Sequence, residues 1–406
     1  MLGLPGLPKK LPSRNWMIFL GITGAFTSAI IYDKREKKRA TAKWARAVSH
    51  IANEPISSAS EMPRRLTVLL ASPPRDGLRI AQDHFVEYVK PILKASGLDW
   101  DFVQGRQQGD VRAAVAEKIR RARRKQERPD EAALSTEEDA IARVRKRNQI
   151  REWEGIEGDL VIGRHVWKEY IRGIHEGWLG PLDPPPKPEL PVVEELADVV
   201  EGEKKPEEAK PTRPPQPVPY NTTADYAEST TPNSIPAEFS PVAPIQFPHV
   251  LGFSSTLTRL GRFLNRRKLA DDIGREVAAA CLAASREWNE DSDLGYEQKG
   301  VLEWEEKNWS KKVWKDDKPD PEEAAEPPLE KIWASDMVVD PSIAMRMRRF
   351  VLLPEDEARA ARIVVPEEEV EGWIKGNLRH LGRWAIETWK GPPKPPVYTE
   401  NEDDVV

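Results

Sequence analysis

The chain has 406 residues, a formal net charge of −5 and 32% charged residues, so its length allows two or three domains and its acidic balance argues against a nucleic-acid partner. A single cysteine, Cys281, excludes an internal disulfide framework and any cysteine-based zinc site, and the six histidines show no metal-ligand spacing. The 37 prolines are near twice the ordinary share, so part of the chain is expected not to be compact, whereas 14 tryptophans require real packing elsewhere.

Residues 1–14 form a basic leader: Lys9, Lys10 and Arg14 stand without an acid, and Pro5, Pro8 and Pro12 spoil any amphipathic helix. Residues 15–32 read as a transmembrane helix. The stretch WMIFLGITGAFTSAIIY, Trp16 to Tyr32, carries no charge. At about 1.5 Å rise per residue its roughly 17 residues reach about 25 Å, near the lower limit for a span. Trp16 and Tyr32 sit where interfacial anchors belong. A cleaved signal peptide or a buried core helix is the alternative, although a secretory apolar region would be shorter and no small-residue cleavage site follows Tyr32. Gly21, Gly24, Ala25, Ser28 and Ala29 fall on one helical face, where small side chains let a partner helix approach; the competing reading is that such residues are merely common in spans.

Residues 33–62 read as a basic juxtamembrane helix and linker, with seven Lys/Arg between Lys34 and Arg46. That run suits either anionic headgroups or plain solvent, and by the positive-inside rule it favours a soluble part on the side that retains positive charge. Residues 63–180 read as the first part of an α/β domain. The strand RRLTVLLA precedes a helix from Arg79 to Ser96, then a second strand, LDWDFVQ. A helix beginning near Asp110 ends in Arg120–Lys125, read as a solvated basic end, and residues 126–150 as a charged excursion. GDLVIG gives a third strand, and RHVWKEYIRGIHEGWLG a helix with Trp167, Tyr170, Ile171, Ile174 and Trp178 on one face. His165 and His175 are expected as surface or satisfied core residues. Residues 181–241, rich in Pro, acids and Ser/Thr, are expected to be a disordered insertion. Residues 242–390 form the second part: PVAPIQFPHVLGF, an Ala-rich helix from Lys268 to Trp288 that buries Cys281, a Trp-bearing helical stretch to Trp314, and late strands in MVVD and RRFVLLP. A C-terminal amphipathic helix follows, with Pro366 at its first position and Val370, Trp373, Leu378, Leu381 and Trp389 at helical spacing. Residues 391–406 are an acidic tail.

The succession LPSRNW, the span, YDKREK, RRLTVLLASPPRDGL, EYVKPILKASGLDWDFVQGRQQGDVRAAVAEKIR, GDLVIGRHVWKEYIRGIHEGWLGPLD and PVAPIQFPHVLGF resembles the Tim fifty-four-type subunits of the mitochondrial carrier translocase, over nearly all the ordered chain. The resemblance implies a non-catalytic scaffold subunit of the inner membrane. It would have one N-terminal span, its leader in the matrix and a large domain in the intermembrane space. Its partners would be a channel-forming translocase subunit and small intermembrane-space chaperones that deliver multi-span carriers, with anionic lipids of the inner membrane as a further contact. That orientation opposes the charge rule.

A second likeness is to the nucleotide-binding half of diacylglycerol- and acylglycerol-type lipid kinases. The fold class expected is therefore α/β, a single transmembrane helix followed by a lipid-kinase-like (Rossmann-like) domain carrying the long insertion and the C-terminal helix. In those kinases a Gly-Gly-Asp-Gly-Thr loop follows the third strand and lets backbone N–H groups approach ATP phosphates. Here Gly163-Arg164-His165-Val166-Trp167 stands in its place, with no acid expected beside it to hold Mg²⁺ and with Arg164 open to an anion. No catalytic, cofactor-binding or metal-binding residue is assigned. A membrane-anchored lipid kinase and an anchored tether are the alternative functions.

Overall fold

A computed structural model describes residues 13–55, 60–128, 137–151, 153, 155–185, 216–289, 291, 295–309, 330–371 and, singly, 376, 379 and 381. Helix α1 (Arg14–Val48) runs unbroken for 35 residues, so the apolar stretch and the basic run form one rod and not a span followed by a separate helix. No proline interrupts it, and its second half is built from Ala, Lys, Arg and Glu, all strong helix formers. The first half is exposed; the second buries Asp33, Trp44, Ala47 and Val48 on the domain.

Six strands among the described residues form one sheet, β1 (Arg65–Ala71), β2 (Asp99–Gly105), β3 (Asp159–Ile162), β4 (Val242–Ile245), β5 (Ser285–Glu287) and β6 (Arg348–Phe350). Their order is β2-β1-β3-β4-β6-β5, parallel except for β5. After β1, α2 (Leu78–His84), a π turn (Phe85–Val89) and α3 (Lys90–Ser96) make one continuous helix. It stops at Gly97, whose φ of +73° favours glycine and whose Cβ would crowd Ala52. Helix α4 (Asp110–Glu127) follows β2, and α5 (Glu137–Arg147) lies within the stretch expected to be an excursion. Helix α6 (Arg164–Leu179) follows β3, and α7 (Thr256–Phe263) and α8 (Arg266–Leu282) follow β4. The short α9 (Glu297–Gly300), α10 (Glu303–Lys307) and α11 (Pro341–Ala344) precede β6; α12 (Pro354–Ala361) and α13 (Glu367–Val370) come after it.

Strand alternation divides the core. Leu66, Val68 and Leu70 of β1 join Leu160 and Ile162 of β3 under α1, α2–α3 and α8. Leu69, Ala71 and Val161 point to the other face, under α4 and α6. On that second face α6 approaches α4 closely because Gly173 and Gly177 present no side chain. A Cβ on Gly173 would come within 2.8 Å of Arg112 O, and one on Gly177 within 2.7 Å of Ile119.

Several sequence expectations are corrected here. The basic end of α4 is solvated only in part: Lys125 is exposed, but Arg120 and Arg123 are buried, Arg120 on Glu176 at 3.0 Å and Arg123 on the carbonyls of Gly177 and Gly180 at 2.8 and 2.9 Å. The end of α6 supplies acceptors that its sequence does not advertise. The insertion expected over 181–241 is structured from residue 216. Asn221 accepts from Arg172 at 2.9 Å, Tyr226 stacks on His175 and Phe239 stacks on Trp178; residues 186–215 lie outside the described residues. Helix α8 stops at Leu282, where Ala283 takes a left-handed turn (φ 62°), and Ser285–Glu287 becomes the antiparallel edge strand in place of a last helical turn. Met337–Asp340 is not a strand; it ends with Asp340 capping α11 through Ser342 N–H at 2.8 Å. The C-terminal helix differs from expectation: Pro366 precedes the turn Glu367–Val370 as its N-cap instead of its first position, and Glu371 ends that turn with extended backbone. Trp373, Leu378 and Trp389, the leader before Ser13 and the acidic tail lie outside the described residues.

Candidate functional site

In an open parallel sheet, ligands bind outside the carboxyl ends of the strands where the strand order reverses, here between β1 and β3. The loop after β3 is a single residue, Gly163, with φ +89°; a Cβ there would press on the His165 ring at 3.0 Å. Helix α6 then begins with its unpaired N–H groups at the crevice, where an anion would sit. That position is occupied by the protein itself. Glu305 of α10 accepts the Arg164 N–H through Oε2 at 2.9 Å and the Phe247 N–H through Oε1 at 2.6 Å, bridging the loops after β3 and β4. Burial pushes its carboxyl up to about 7, against the pull of those two N–H groups.

Arg164 is committed as well. Its guanidinium donates to the carbonyls of Lys299 and Val301 at 2.9 and 2.6 Å and pairs with Glu306 at 3.1 Å, so the expectation that no acid lies beside it is overturned. Helix α4 is closed in the same manner. Glu169 accepts from Val111 N–H at 3.0 Å and from the Trp333 indole at 2.7 Å, and its carboxyl is likewise raised to about 7 by burial. The histidines are satisfied core residues: His165 Nε2 contacts Ala71 O at 3.1 Å, His175 Nε2 accepts Asp340 N–H at 2.9 Å, and burial lowers both to about 4. Across the crevice Asp76 and His249 meet at 3.2 Å, joining the loops after β1 and β4. The arrangement is that of an anion cradle whose N–H groups are already taken by the protein's own carboxylate.

The second feature is the seat of α1. Asp33, buried just past the span, accepts the N–H groups of Arg266 and Arg267 at 3.1 and 3.2 Å and so caps α8. Further along, the Trp44 indole donates to Asp271 at 2.7 Å and lies against Gly274. On the next helix, Lys37 pairs with Glu87 and Ala52 touches Gly97. Both α8 and α2–α3 therefore run alongside α1 in its own direction, away from the apolar stretch. The strands run back, and the carboxyl edge of the sheet faces the membrane end of α1.

Of the seven basic residues after the span, Arg35, Lys37, Arg39, Lys43 and Arg46 pair with Glu367, Glu87, Glu367, Asp271 and Glu369, leaving Lys34 and Lys38 exposed. The positive flank on which the charge rule depends is largely cancelled by the folded domain.

The residues assigned to a partner helix stay on the open part of α1. A Cβ on Gly21 or Gly24 would meet nothing within 4 Å, and Ala25, Ser28 and Ala29 are exposed. Trp16 is exposed, edge-on to Phe19 at 5.7 Å, while Tyr32 lies beneath the Arg267 guanidinium at 5.3 Å. Sequence reasoning missed Asp33, Glu169, Glu176 and Glu305. Asp33 had a signal, an acid set directly between an apolar span and a basic run; Glu305, within the acid-rich EWEEK, had none.

Comparison with known proteins follows the same outline. The chain matches the sequence profile of the family described as "Inner membrane protein import complex subunit Tim54" over residues 1–205 and 194–350. It is 54% identical to the mitochondrial import inner membrane translocase subunit tim54 of Neurospora crassa, over 95% of this chain and 87% of that one. Identity is 43% with the subunit of Aspergillus oryzae, over 91% of each chain, and 30% with that of Candida albicans, over 77% of this chain and 88% of the relative.

Proposed function

We infer that this chain, which belongs to the Tim54 family of inner membrane protein import complex subunits, is a non-catalytic scaffold of the mitochondrial carrier translocase. It is a single-pass protein of the inner membrane with its soluble domain in the intermembrane space. Its work is to hold partners in place while multi-span carriers are inserted. The small-residue face of Gly21, Gly24, Ala25, Ser28 and Ala29 takes a helix of the channel-forming subunit, Trp16 and Tyr32 anchor the span at the two interfaces, and the domain receives the small chaperones. The observation that carries this reading is the continuity of α1: one helix is both the span and a buried element of the domain, so the position of the domain is fixed to that of the span.

A lipid-kinase-like ancestry for the core is part of this reading; its strand order is that of open parallel α/β sheets in general, and its strand-end crevice is closed by Glu305. The kinase alternative would require bare backbone where Arg164 and Glu305 now stand. Substituting Gly24→Leu or Ala25→Leu keeps the span hydrophobic while adding bulk to the small-residue face. Native-gel migration of detergent-solubilised mitochondria is expected to show loss of the chain from its large complex without loss from the membrane, with Ile22→Leu unaffected. Equal behaviour of the two classes would remove the face as a contact surface.

A further inference from the structure

Helix α7 buries none of its eight residues. Its apolar side chains gather on one side: Leu257 is 80% exposed and Leu260 is also exposed, while Phe253, in the turn before the helix, is 93% exposed. The opposite side faces the domain, where Arg262 lies over the Trp304 ring at 5.0 Å. Arg259 and Lys268 border the apolar side with exposed positive charge, and Arg266, also exposed, lies over the Phe263 ring at 4.8 Å with Glu87 at 3.9 Å. A short helix with an uncovered apolar face and a basic border is what an interfacial membrane helix looks like.

Its position decides what covers it. The start of α8 is pinned to the end of the span by Asp33 and by the Arg267–Tyr32 contact, and α8 then travels away from the membrane beside α1. Only Leu264 and Asn265 separate α7 from that pinned end. Leu257 precedes Arg266 by nine residues, about 14 Å at helical rise, so an α7 lying along the membrane plane stays level with the pinned end of α8, whereas one standing upright would overrun a headgroup region of about 5–7 Å. We propose that α7, with Phe253 before it, lies in the membrane interface beside α1, with Phe253, Leu257 and Leu260 in the acyl boundary and Arg259, Arg266 and Lys268 at anionic headgroups. It gives the domain a second foothold on the bilayer, so that the domain is fixed in tilt as well as in height. The proposal rests on reading α1 as a span.

The test uses the full chain reconstituted in phosphatidylcholine vesicles containing cardiolipin. Single cysteines at Leu257→Cys, Ser28→Cys and Glu355→Cys are labelled with an environment-sensitive maleimide fluorophore; Cys281 is buried, its thiol raised to about 11, and escapes labelling. Lipids doxylated near the headgroup are expected to quench the Leu257 label and shift its emission to the blue, while the Glu355 label on α12 stays unquenched. The Ser28 label reports the span. Quenching at Ser28 without quenching at Leu257 would overturn the proposal and leave the span intact. A Leu257 label that turns apolar only when other mitochondrial membrane proteins are added would overturn it in favour of a protein partner. Silence at both positions would overturn the span reading and the proposal together.

Discussion

Trp44 lies directly on Gly274: the indole fills the space that any side chain at that position would need. This contact sets the separation of α1 and α8, and with it the seat of the span on the domain. The Asp271 carboxylate, one turn earlier on α8, takes the indole N–H at 2.7 Å and fixes the ring's rotation. Substituting Gly274→Ala therefore forces the helices apart or Trp44 out of its rotamer, although alanine is the better helix former. Overpacking of this kind costs about 1–3 kcal/mol, against less than about 1 kcal/mol of helix propensity gained. Thermal melting of the full chain in detergent is expected to show a net loss of stability, and a rise would mean the contact is slack.

Glu176 on α6 is the hub of a buried ion cluster. It holds Arg112 through one carboxylate oxygen and Arg120 through the other, and also accepts the Tyr220 N–H at 3.2 Å. Glu176→Gln leaves two guanidinium groups buried with one amide oxygen between them. Breaking a buried pair by removing one partner costs about 3–5 kcal/mol. Chemical denaturation of Glu176→Gln is expected to show a loss of that order. A loss below about 1 kcal/mol would put the cluster in the class of surface pairs.

What the sequence disclosed and what it hid divide along a physical line. Elements carried by local periodicity were legible: β1, β2 and β3, the helix from Leu78 to Ser96, and α6 with its aromatic stripe. The apolar first half of α1 was legible by composition. Hidden were the relations that tertiary structure makes. Arg120 read as surface charge because its partner, Glu176, is distant in sequence, and residues 216–241 read as unable to fold because the rings that hold them belong to α6. The crevice was half legible. The bulky residues after Gly163 showed that a glycine loop was missing, but the carboxylate that takes the anion's place comes from a segment with no signature of its own.

If Glu305 stands in for an anion, its removal should reopen the cradle. Glu305→Ala leaves the N–H groups of Arg164 and Phe247 without their acceptor, at a cost of about 1–3 kcal/mol for each group that finds no water. The vacated place lies at the start of α6, where helix N–H groups favour negative charge. Sulfate or phosphate is expected to raise the melting temperature of Glu305→Ala and to leave the unsubstituted chain unchanged beyond a general salt effect. Mg²⁺-ATP should not shift the unsubstituted chain. A saturable ATP-dependent shift there would restore the lipid-kinase reading.

Acid stability follows from five buried groups whose effects oppose one another. His84, His165 and His175 are lowered by burial to about 4, from an ordinary value near 6.5. Between about pH 6.5 and 4 the unfolded chain takes up these protons and the folded chain does not, so stability falls with acid. Glu169 and Glu305 are raised to about 7, against about 4.5 when unfolded. In the folded chain they take up protons first, so their contribution is fully present below about pH 4.5 and is lost as pH rises towards 7. In the shared window the unfolded state gains three protons from the histidines and the folded state two from the carboxyls, a near balance. Glu169→Gln combined with Glu305→Gln removes only the second set. Whatever the absolute stability of that double variant, its loss of stability on acidification between pH 6.5 and 4.5 should be steeper than the unsubstituted chain's by about 2.7 kcal/mol per pH unit, two protons' worth. Denaturation midpoints across that window measure the slope, and equal slopes would mean that the two carboxyls are already ionised in the folded chain at pH 5.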